Sequence, residues 1–273
     1  AKKQNKEIDA VIHFAGLKSV NESILKPFEY WDVNVVGTMT LLAVMKKNNC
    51  RSIVFSSSAT IYDPKVNTLI NEKSELKPIN PYGRSKQVIE MILKDVHNEE
   101  SQDWRIINLR YFNPVGAHES GLIGENPKVV PTNLFPVLMN KLSSNEKIPI
   151  FGNNWPTKDG TCIRDYIHVV DLSSAHLASL EFLMDKKSVF LNLNIGTGVG
   201  ISVMEVINTF SIVCDCKIPY FFEDRRAGDA SYVVADNHLA REILDWSPQK
   251  KLLDMCQDSW NWHQKNIKDF KTF

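Results

Sequence analysis

A tyrosine and a lysine four residues apart are the residues of this chain best suited to proton transfer. Tyr82 and Lys86 would lie on one face of a helix, about one turn from each other. A serine run that ends at Ser58 lies upstream, after an apolar segment that is typical of a strand. A phenol, an ammonium and a hydroxyl at one place can take a proton from an alcohol while a hydride leaves the same carbon. We predict this chemistry for the three residues.

The pair also has a simpler interpretation, because a tyrosine followed by a lysine at this spacing occurs often by chance. Pro81 favours the start of a helix, and an ordinary helix start would carry a tyrosine and a solvated lysine without any chemistry. In the catalytic interpretation, the ammonium lowers the pKa of the Tyr82 phenol from its usual value of about 10. The strand-like segments on both sides of the pair favour the catalytic interpretation.

Apolar runs alternate with helical patterns through the first half of the chain. The patterns predict strands at 10–15, 53–58 and 105–112, and helices at 29–48 and 81–97. Strands that are separated by helices of this length form a parallel, doubly wound α/β sheet. One side of the first helix is expected to hold its apolar residues, namely Val35, Met39, Leu42, Ala43 and Met45.

The second half has a less regular pattern, and proline and glycine become frequent between residues 116 and 160. We predict helices at 134–143, 171–184, 202–213, 237–244 and 252–266, and strands at 148–151, 190–195 and 219–222. This half is interpreted as a smaller α/β substrate-binding lobe.

Composition excludes several classes of function. The 273 residues have a formal net charge of zero, which gives no reason to expect nucleic acid or an anionic membrane as a partner. No apolar run approaches the ~20 residues that a membrane span needs. Five scattered cysteines indicate reduced thiols in a cytoplasmic protein. Cys214 and Cys216 lack a second ligand pair at metal-binding spacing, so we predict no metal site.

Seven runs along the chain carry a resemblance to a known family. They are GLK at 16–18, SSSATIY at 56–62, PYGRSK at 81–86, RYFNPVGAH at 110–118, DGT at 159–161, RDYIHV at 164–169 and RRAGD at 225–229. Together they resemble the UDP-glucose 4-epimerases, which belong to the extended short-chain dehydrogenase/reductase family. The resemblance extends from about residue 8 to residue 262, and the run at 110–118 is its most specific part.

The resemblance implies that UDP-glucose and UDP-galactose are interconverted on tightly held NAD. Tyr82 would take the proton of the C4 hydroxyl while hydride passes from C4 to NAD, and the 4-keto sugar would then turn over in its pocket. Ser58 would bind the sugar near C4, and Lys86 would hold the nicotinamide ribose and tune Tyr82. The catalytic set implied in this way is Tyr82, Ser58 and Lys86.

The resemblance also implies a cofactor site and a substrate site. The NAD site would consist of Phe14, Ala15, Gly16, Lys18, Asn34, Ser58, Tyr82, Lys86, Tyr111 and Phe112. The UDP-hexose site would consist of Ser58, Ala59, Thr60, Tyr111, Phe112, Asn113, Thr132, Asn133, Leu134, Pro149, Ile150, Phe151, Arg164, Tyr166, Arg226, Ala227, Gly228 and Asp229. The planar fork of an arginine suits diphosphate oxygens, although Arg164 and Arg226 are also compatible with surface salt bridges.

The family resemblance further implies a Rossmann-like domain at 1–116 that carries the catalytic residues. Residues 117–273 would mainly bind the UDP-sugar, with some segments returning to the first domain. Homodimers of such enzymes pair through two helices, for which 29–48 and 82–97 are the candidates. The resemblance therefore implies a homodimer, while packing of the two helices on the sheet explains their apolar residues equally well.

Three positions bear on the pattern of the family, and the first is Asp63, which stands where a glycine commonly follows the residue equivalent to Tyr62. Thr132 stands where many epimerases have a second asparagine beside Asn133, which would weaken one hydrogen bond to uridine. Val233 occupies a position where the family varies between a bulky aromatic and a small residue. A small side chain there leaves room for an N-acetyl group, so activity on UDP-GlcNAc and UDP-GalNAc is expected as well.

The start of a dinucleotide-binding sheet, a strand followed by a glycine-rich turn, is not found before Ile8. Since the first strand resembles the fourth strand of the family, we expect about 70 residues to be lacking. We also expect the 273-residue chain alone to be poorly soluble or partly disordered, and inactive. The glycine-rich segment at 196–200 superficially fits a nucleotide loop. Ile201 fills the place of the third small residue, so we interpret the segment as a tight turn beside the substrate site.

Other functions are compatible with parts of the pattern. A nucleotide-sugar 4,6-dehydratase shares the Tyr82 and Lys86 pair but needs a carboxylate beside the serine, and the segment at 58–60 has none. An epimerase of UDP-glucuronate would need additional cations that the sequence does not evidently supply. An inactive fragment or a degenerate homologue that only binds a nucleotide is the alternative that does not involve catalysis.

Overall fold

The computed structural model describes residues 7–63, 68–99, 103–126, 131–144, 146–226 and 228–266. Its strands are β1 (Val11–His13), β2 (Ser52–Ser58), β3 (Arg105–Tyr111), β4 (Asn113–Val115), β5 (Ile148–Phe151), β6 (Ile163–His168), β7 (Val189–Ile195), β8 (Gly200–Ser202), β9 (Tyr220–Glu223) and β10 (Tyr232–Val233). Its α-helices are α1 (Val20–Leu25), α2 (Pro27–Tyr30), α3 (Gly37–Lys47), α4 (Pro81–His97), α5 (Leu134–Ser144), α6 (Val169–Met184), α7 (Val203–Val213), α8 (His238–Leu244) and α9 (Leu252–Asn266).

The main sheet has four parallel strands in the order β1, β2, β3, β7. Ser58 at the end of β2 is in register with Tyr111 at the end of β3, and Tyr111 with Ile195 at the end of β7. The carboxyl ends of the strands therefore lie at one edge, which is where ligands bind in sheets of this kind. The predicted parallel sheet is confirmed.

Helices cover both faces of this sheet because neighbouring residues of each strand point to opposite sides. Ile53 and Phe55 of β2 pack in one core cluster with residues of α3 and α4. Val54 packs on the other side, in a cluster with residues of α6 and α8. Strands buried on both faces read as continuous apolar runs, which is why these strands were recognisable in the sequence.

The predicted helix at 29–48 is not one regular helix. The structure has a π-helical segment at Trp31–Val36 between α2 and α3. Val35, Leu42 and Met45 are buried, whereas Met39 is 52% exposed and Ala43 also faces solvent. The apolar side that the sequence indicates is therefore only partly buried, and the π segment interrupts the predicted helix before α3 begins at Gly37.

The second half of the chain builds two small sheets around another core. β6 pairs with β4 and β10 in parallel and with β8 in the antiparallel direction, while β5 pairs with β9. Side chains of α5, α7 and α9 form a common core with β5 and β6. β7 returns to the main sheet. Among the described residues, no helix combines the length and apolar character that crossing a bilayer requires.

Candidate active site

The helix that carries Tyr82 and Lys86 begins as the sequence predicts. Asn80 precedes α4, and its side-chain oxygen accepts a hydrogen bond from the Gly83 backbone N–H at 2.8 Å. Pro81 occupies the first turn, where its missing N–H leaves no helical hydrogen bond unmade. The cap thereby fixes the start of the helix immediately before Tyr82.

Gly83 lets α4 approach the turn that follows Ser58. A Cβ atom at this position would lie 2.6 Å from the Thr60 carbonyl oxygen and 2.9 Å from Cβ of Pro78. Real Cβ atoms do not come this close to backbone oxygens, so only glycine fits. The close approach brings the first turn of α4 against the 3₁₀ turn at Ala59–Ile61.

Lys86 is buried, which excludes a solvated lysine at this position. Its side chain donates a hydrogen bond from Nζ to the Ser56 carbonyl oxygen at 2.7 Å. The Nζ atom lies 4.8 Å from the centre of the Phe55 ring and 5.8 Å from that of Tyr82. Burial lowers the pKa of Lys86 to about 8, while the charge of Glu90 opposes this shift. A buried amine with a shifted pKa beside a phenol is typical of a functional site.

Tyr82 and Ser58 meet between α4 and β2. Burial raises the pKa of Tyr82, and a hydrogen bond with the Ser58 side chain opposes this effect. The Ser58 hydroxyl also accepts a hydrogen bond from Oγ1 of Thr60 at 2.9 Å. The expected lowering of the Tyr82 pKa by Lys86 is not found. The Lys86 ammonium bonds to a carbonyl, and loss of water around the phenolate has the larger effect.

Tyr111 extends this group from the end of β3. Its hydroxyl bonds to Nε2 of His176 and interacts with the Ser56 side chain. Nδ1 of His176 lies 2.8 Å from the Leu172 carbonyl oxygen, which only accepts, so the imidazole proton is on Nδ1 and Nε2 accepts from Tyr111. His176 was not found from the sequence, because a histidine on a helix gives no signal of its strand partner.

The segment after β1 approaches Lys86 through Gly16. A Cβ atom on Gly16 would lie 3.0 Å from Oδ1 of Asn34 and 3.9 Å from Nζ of Lys86. The Asn34 side chain is buried and holds this segment through bonds to the Leu17 N–H at 2.7 Å and the Leu17 carbonyl at 3.1 Å. The glycine therefore keeps open the space beside the ammonium.

Three other residues expected at the cofactor site are more exposed. Phe14 is 59% exposed, and its ring centre lies 4.7 Å from that of His176. Lys18 forms an ion pair with Glu125 at 3.0 Å. Ala15 lies between Phe14 and Gly16 and is exposed. The four residues after β1 that were expected to bind NAD remain predictions, and they are Phe14, Ala15, Gly16 and Lys18.

At the expected uridine end, three segments meet around Arg226. The guanidinium carbon lies 3.8 Å from the centre of the Phe151 ring, and Nη1 is 3.4 Å from the Thr132 carbonyl oxygen. Arg225 next to it stacks on the Trp155 ring at 3.9 Å. Residues from β5, the segment before α5 and the segment after β9 are thus brought together, and two cations are present for an anionic ligand.

Arg164 is held by protein groups. It forms an ion pair with Asp229 and donates from Nη1 to the carbonyl oxygens of Ile163 at 2.8 Å and Ala230 at 2.9 Å. Arg164 therefore forms the salt bridge that was the other interpretation of these arginines, whereas the Arg226 side chain is exposed. An ion pair of this kind can still present one edge of the guanidinium to a phosphate.

The remaining expected substrate residues divide by exposure. Phe112, Ile150 and Tyr166 are buried in the apolar cores. Five are partly or fully accessible, namely Ala59, Asn113, Asn133, Leu134 and Pro149. Gly228 has a positive φ of 77°, and a Cβ there would lie 2.9 Å from Ile79. Ala227 lies outside the described residues.

The glycine-rich segment at 196–200 is a tight turn around a carboxylate. Asp165 accepts hydrogen bonds from the Thr197 N–H at 2.7 Å and the Gly198 N–H at 2.9 Å. These N–H groups are therefore occupied by the protein itself, which agrees with the interpretation of the segment as a turn. Among the described residues there is no group of three or more histidine, cysteine or acidic side chains able to hold a metal ion.

Comparisons with known proteins agree with this geometry. Residues 1–196 match the model of the NAD dependent epimerase/dehydratase family. UDP-glucose 4-epimerase GEPI48 of Cyamopsis tetragonoloba is 46% identical over 261 residues, which are 95% of this chain and 74% of that protein. UDP-glucose 4-epimerase of Bacillus subtilis is 45% identical over 267 residues, covering 97% of this chain and 78% of that protein.

Solved structures show the same relationship. The UDP-glucose 4-epimerase of Bifidobacterium longum in complex with NAD+ and UDP is 44% identical, with a TM-score of 0.90 over 97% of this chain and 79% of that one. The Stenotrophomonas enzyme with bound NAD and a formylated UDP-arabinopyranose has a TM-score of 0.92 at 42% identity, over 96% of this chain and 78% of that one. The fold and site define a Rossmann-like α/β protein with a tyrosine–lysine pair. The chain belongs to the NAD dependent epimerase/dehydratase family, as a member of its UDP-glucose 4-epimerase branch.

Proposed function

We propose that this protein interconverts UDP-glucose and UDP-galactose through transient oxidation at C4 of the hexose. The observation that carries the proposal is the group formed by Ser58, Tyr82 and Lys86 at the carboxyl edge of the main sheet. A buried ammonium, a phenol bonded to a hydroxyl and an open glycine segment lie together there. Homologous epimerases that hold NAD together with UDP or a UDP-sugar have the same fold.

Tyr82 acts as the base for the C4 hydroxyl in this proposal. Its phenolate accepts the proton, and the Ser58 hydroxyl hydrogen-bonds the reacting oxygen. Once the keto sugar has turned in its pocket, the hydride held by NAD would return to the opposite face of C4, and Tyr82 returns the proton to the C4 oxygen. Arg226 and the aromatic ring of Phe151 hold the nucleotide, so that only the hexose rotates.

The residues present suit the nicotinamide end of an NAD molecule. The Lys86 ammonium can donate to ribose hydroxyls, Gly16 keeps the adjacent space free of a side chain, and Phe14 offers an exposed ring. NAD, when bound, supplies a hydride acceptor whose positive ring favours the phenolate form of Tyr82. The protein residues position that ring and hold the proton.

The proposal is tested with the protein at its full natural length. Incubated with UDP-galactose and NAD, it is expected to form UDP-glucose, and Tyr82→Phe, which removes only the phenol oxygen, is expected to reduce kcat by at least about 100-fold. Chromatographic separation of the two UDP-sugars measures the conversion. Absence of conversion by the unaltered protein, or equal rates for both proteins, would contradict the proposal.

We extend the proposal to UDP-GlcNAc and UDP-GalNAc on the basis of Val233. This partly buried valine of β10 packs with the cluster that contains Ile61 and Phe112, and its small side chain leaves room for an N-acetyl group. Val233→Tyr is expected to lower kcat/KM for UDP-GalNAc while UDP-galactose is still converted. Failure of the unaltered protein to turn over UDP-GalNAc would reject this extension.

A homodimer completes the proposal. The exposed apolar residues of the π segment, α3 and α4 form what we name the outer stripe, and they are Val33, Val36, Met39, Val44 and Met91. These elements are adjacent, since Asn34 bonds to Ser85 at 3.1 Å. Two copies pairing through this stripe would bury it. We also propose a cytoplasmic location, supported by five cysteines that are all unpaired thiols.

A further inference from the structure

The buried side of α4 holds a third ionisable residue that the mechanism does not use. Glu90 follows Lys86 by four residues, as Lys86 follows Tyr82, so the three side chains lie along one line of the helix. Arg110, which precedes Tyr111 on β3, faces Glu90. The side chains of Arg110 and Glu90 are only 2% and 6% exposed.

The two residues form a bidentate ion pair. Oε2 of Glu90 accepts from Nη2 of Arg110 at 2.6 Å, and Oε1 accepts from Nε at 3.0 Å. Nη1 of Arg110 donates to the Tyr62 hydroxyl at 2.8 Å and the Glu72 carbonyl at 3.1 Å. Planar pairing at two points fixes direction as well as distance, and links α4 to β3.

Glu90 also completes a set of contacts between α4 and three successive serines of β2. The Ser56 carbonyl accepts from Lys86 at 2.7 Å, and the Ser58 side chain bonds to Tyr82. Ser57, between them, donates from its hydroxyl to Oε1 of Glu90 at 2.5 Å. A slip of α4 along β2 would therefore break the Glu90 contact together with those of the proton-transfer pair.

We propose that Glu90 is a positioning residue for this pair, because it holds α4 in register with β2 and β3 and keeps Lys86 in its ammonium form. Its catalytic consequence rests on the proposed function, whereas its effect on the Lys86 charge does not. A buried ion pair is weak evidence for stability by itself, and a buried charge often serves to specify one arrangement.

The groups around Lys86 support an electrostatic effect of Glu90. Burial lowers the pKa of Lys86 to about 8, and Glu90 is the charge that opposes this shift. His13 of β1 faces Lys86 but is neutral near pH 7, since burial and the ammonium lower its pKa to about 4. Tyr111 of β3 stays protonated because burial raises its pKa. Without the carboxylate, Lys86 would lose its proton closer to neutral pH.

The charge effect is tested by nuclear magnetic resonance on the full-length protein with 13C-labelled lysines, using Lys86→Met to identify the signal. Lys86 is expected to titrate near pH 8 in the unaltered protein. In the Glu90→Met/Arg110→Met variant, which leaves no buried charge without its partner, Lys86 is expected to titrate about one pH unit lower. In Glu90→Gln, which retains the Arg110 cation, Lys86 is expected to titrate at a still lower pH. Unchanged titration in both variants would overturn the proposal.

The catalytic consequence is tested by the pH dependence of UDP-galactose conversion. The active form of Lys86 is protonated, so activity falls as pH rises through its pKa. In the double variant this alkaline limb should move to lower pH and kcat should fall about tenfold, with KM for UDP-galactose unchanged. If the unaltered protein fails to convert UDP-galactose, the proposed function is wrong, and the lysine titration still decides the role of Glu90.

Asp258→Asn is the matched control for loss of a partly buried charge. Asp258 of α9 pairs with His168 at 3.2 Å and with Lys250 at 3.6 Å, and these residues belong to no catalytic contact described above. The variant is expected to lower the midpoint of thermal unfolding without moving the alkaline limb. An equal movement of the limb in Asp258→Asn, or no movement in the double variant, would reduce Glu90 to a purely structural residue.

Discussion

A buried lysine has opposite effects on stability and on catalysis. Taking the Lys86 ammonium out of water disfavours the charged form, and a hydrogen bond to the Ser56 carbonyl compensates only in part. The same desolvation makes the ammonium a strong donor for a ribose hydroxyl and brings its charge close to the Tyr82 ring. A role in catalysis therefore explains a buried Lys86 better than a contribution to stability does.

This conflict predicts the effect of Lys86→Met. Folding lowers the pKa of Lys86 from 10.5 to about 8. At pH 7 the amine is therefore protonated in both the folded and the unfolded chain, and the folded chain carries the full free-energy cost of burying the charge. Removing the amine should raise the free energy of unfolding by up to about 3 kcal/mol at pH 7. The gain should shrink as pH rises from about 8 to 10.5, where the folded lysine is already neutral.

Urea unfolding at several pH values measures this difference. Lys187→Met, at an exposed position between α6 and β7, is the control, and it should change the free energy of unfolding by less than about 0.5 kcal/mol at any pH. A Lys86→Met protein that is less stable than the unaltered one at pH 7, or whose difference does not depend on pH, would contradict the prediction.

At the scale of elements, the site depends on how α4 packs against the main sheet. The cap at Asn80 fixes where the helix begins, and Gly83 fixes how near it comes to the turn after β2. Three serine contacts along β2 then fix its register. None of these contacts involves a ligand, so the arrangement of Tyr82 and Ser58 is a property of the fold.

Gly83→Ala tests the close approach of the helix. Alanine is the better helix former, but its Cβ would meet the Thr60 carbonyl at 2.6 Å, so the helix must move away from Ser58. We expect a loss of about 1–3 kcal/mol in the free energy of unfolding, together with a strong fall in kcat. Thermal unfolding and the UDP-galactose assay measure the two effects.

Gly37→Ala is the matched control, since Gly37 is also helical and the nearest atom to its Cβ would be 3.9 Å away. It should stabilise the protein by about 0.5–1 kcal/mol through helix propensity alone. If both alanine variants behaved alike, the helix would not depend on the approach at Gly83.

At the scale of the whole molecule, one apolar surface lies on the elements that build the site. The outer stripe combines the π segment and α3 with Met91 of α4, and its five members are 45–60% exposed. Because the opposite sides of α3 and α4 pack on the main sheet, an interface on the stripe would rest on the same helices that carry Tyr82 and Lys86.

Charges placed on the stripe should separate the proposed dimer. Val36→Glu with Met91→Glu would bury two carboxylates per copy in an apolar interface, so the protein should sediment as a monomer in analytical ultracentrifugation. Ile212→Glu, at an apolar position of α7 that is 75% exposed, should not change the sedimentation. A monomeric unaltered protein, or a double variant that still dimerises, would contradict the proposed interface.

The sequence by itself determined the parallel α/β class and the positions of Tyr82, Lys86 and Ser58. Those features follow from local information, since buried strands form continuous apolar runs and a spacing of four residues defines one face of a helix. The bounds of α4 and α9 could be predicted for the same reason, from capping residues and from helical periodicity.

Only the tertiary structure decided the electrostatic character of the site. The burial of Lys86, the raised pKa of Tyr82 and the pairing of Glu90 with Arg110 depend on which segments pack together across many residues of chain. Neither the partnership of His176 with Tyr111 nor the exposure of Met39 could be read from periodicity. A pattern of residue types encodes which side chains are near in sequence, whereas desolvation and charge pairing arise from neighbours that are near only in space.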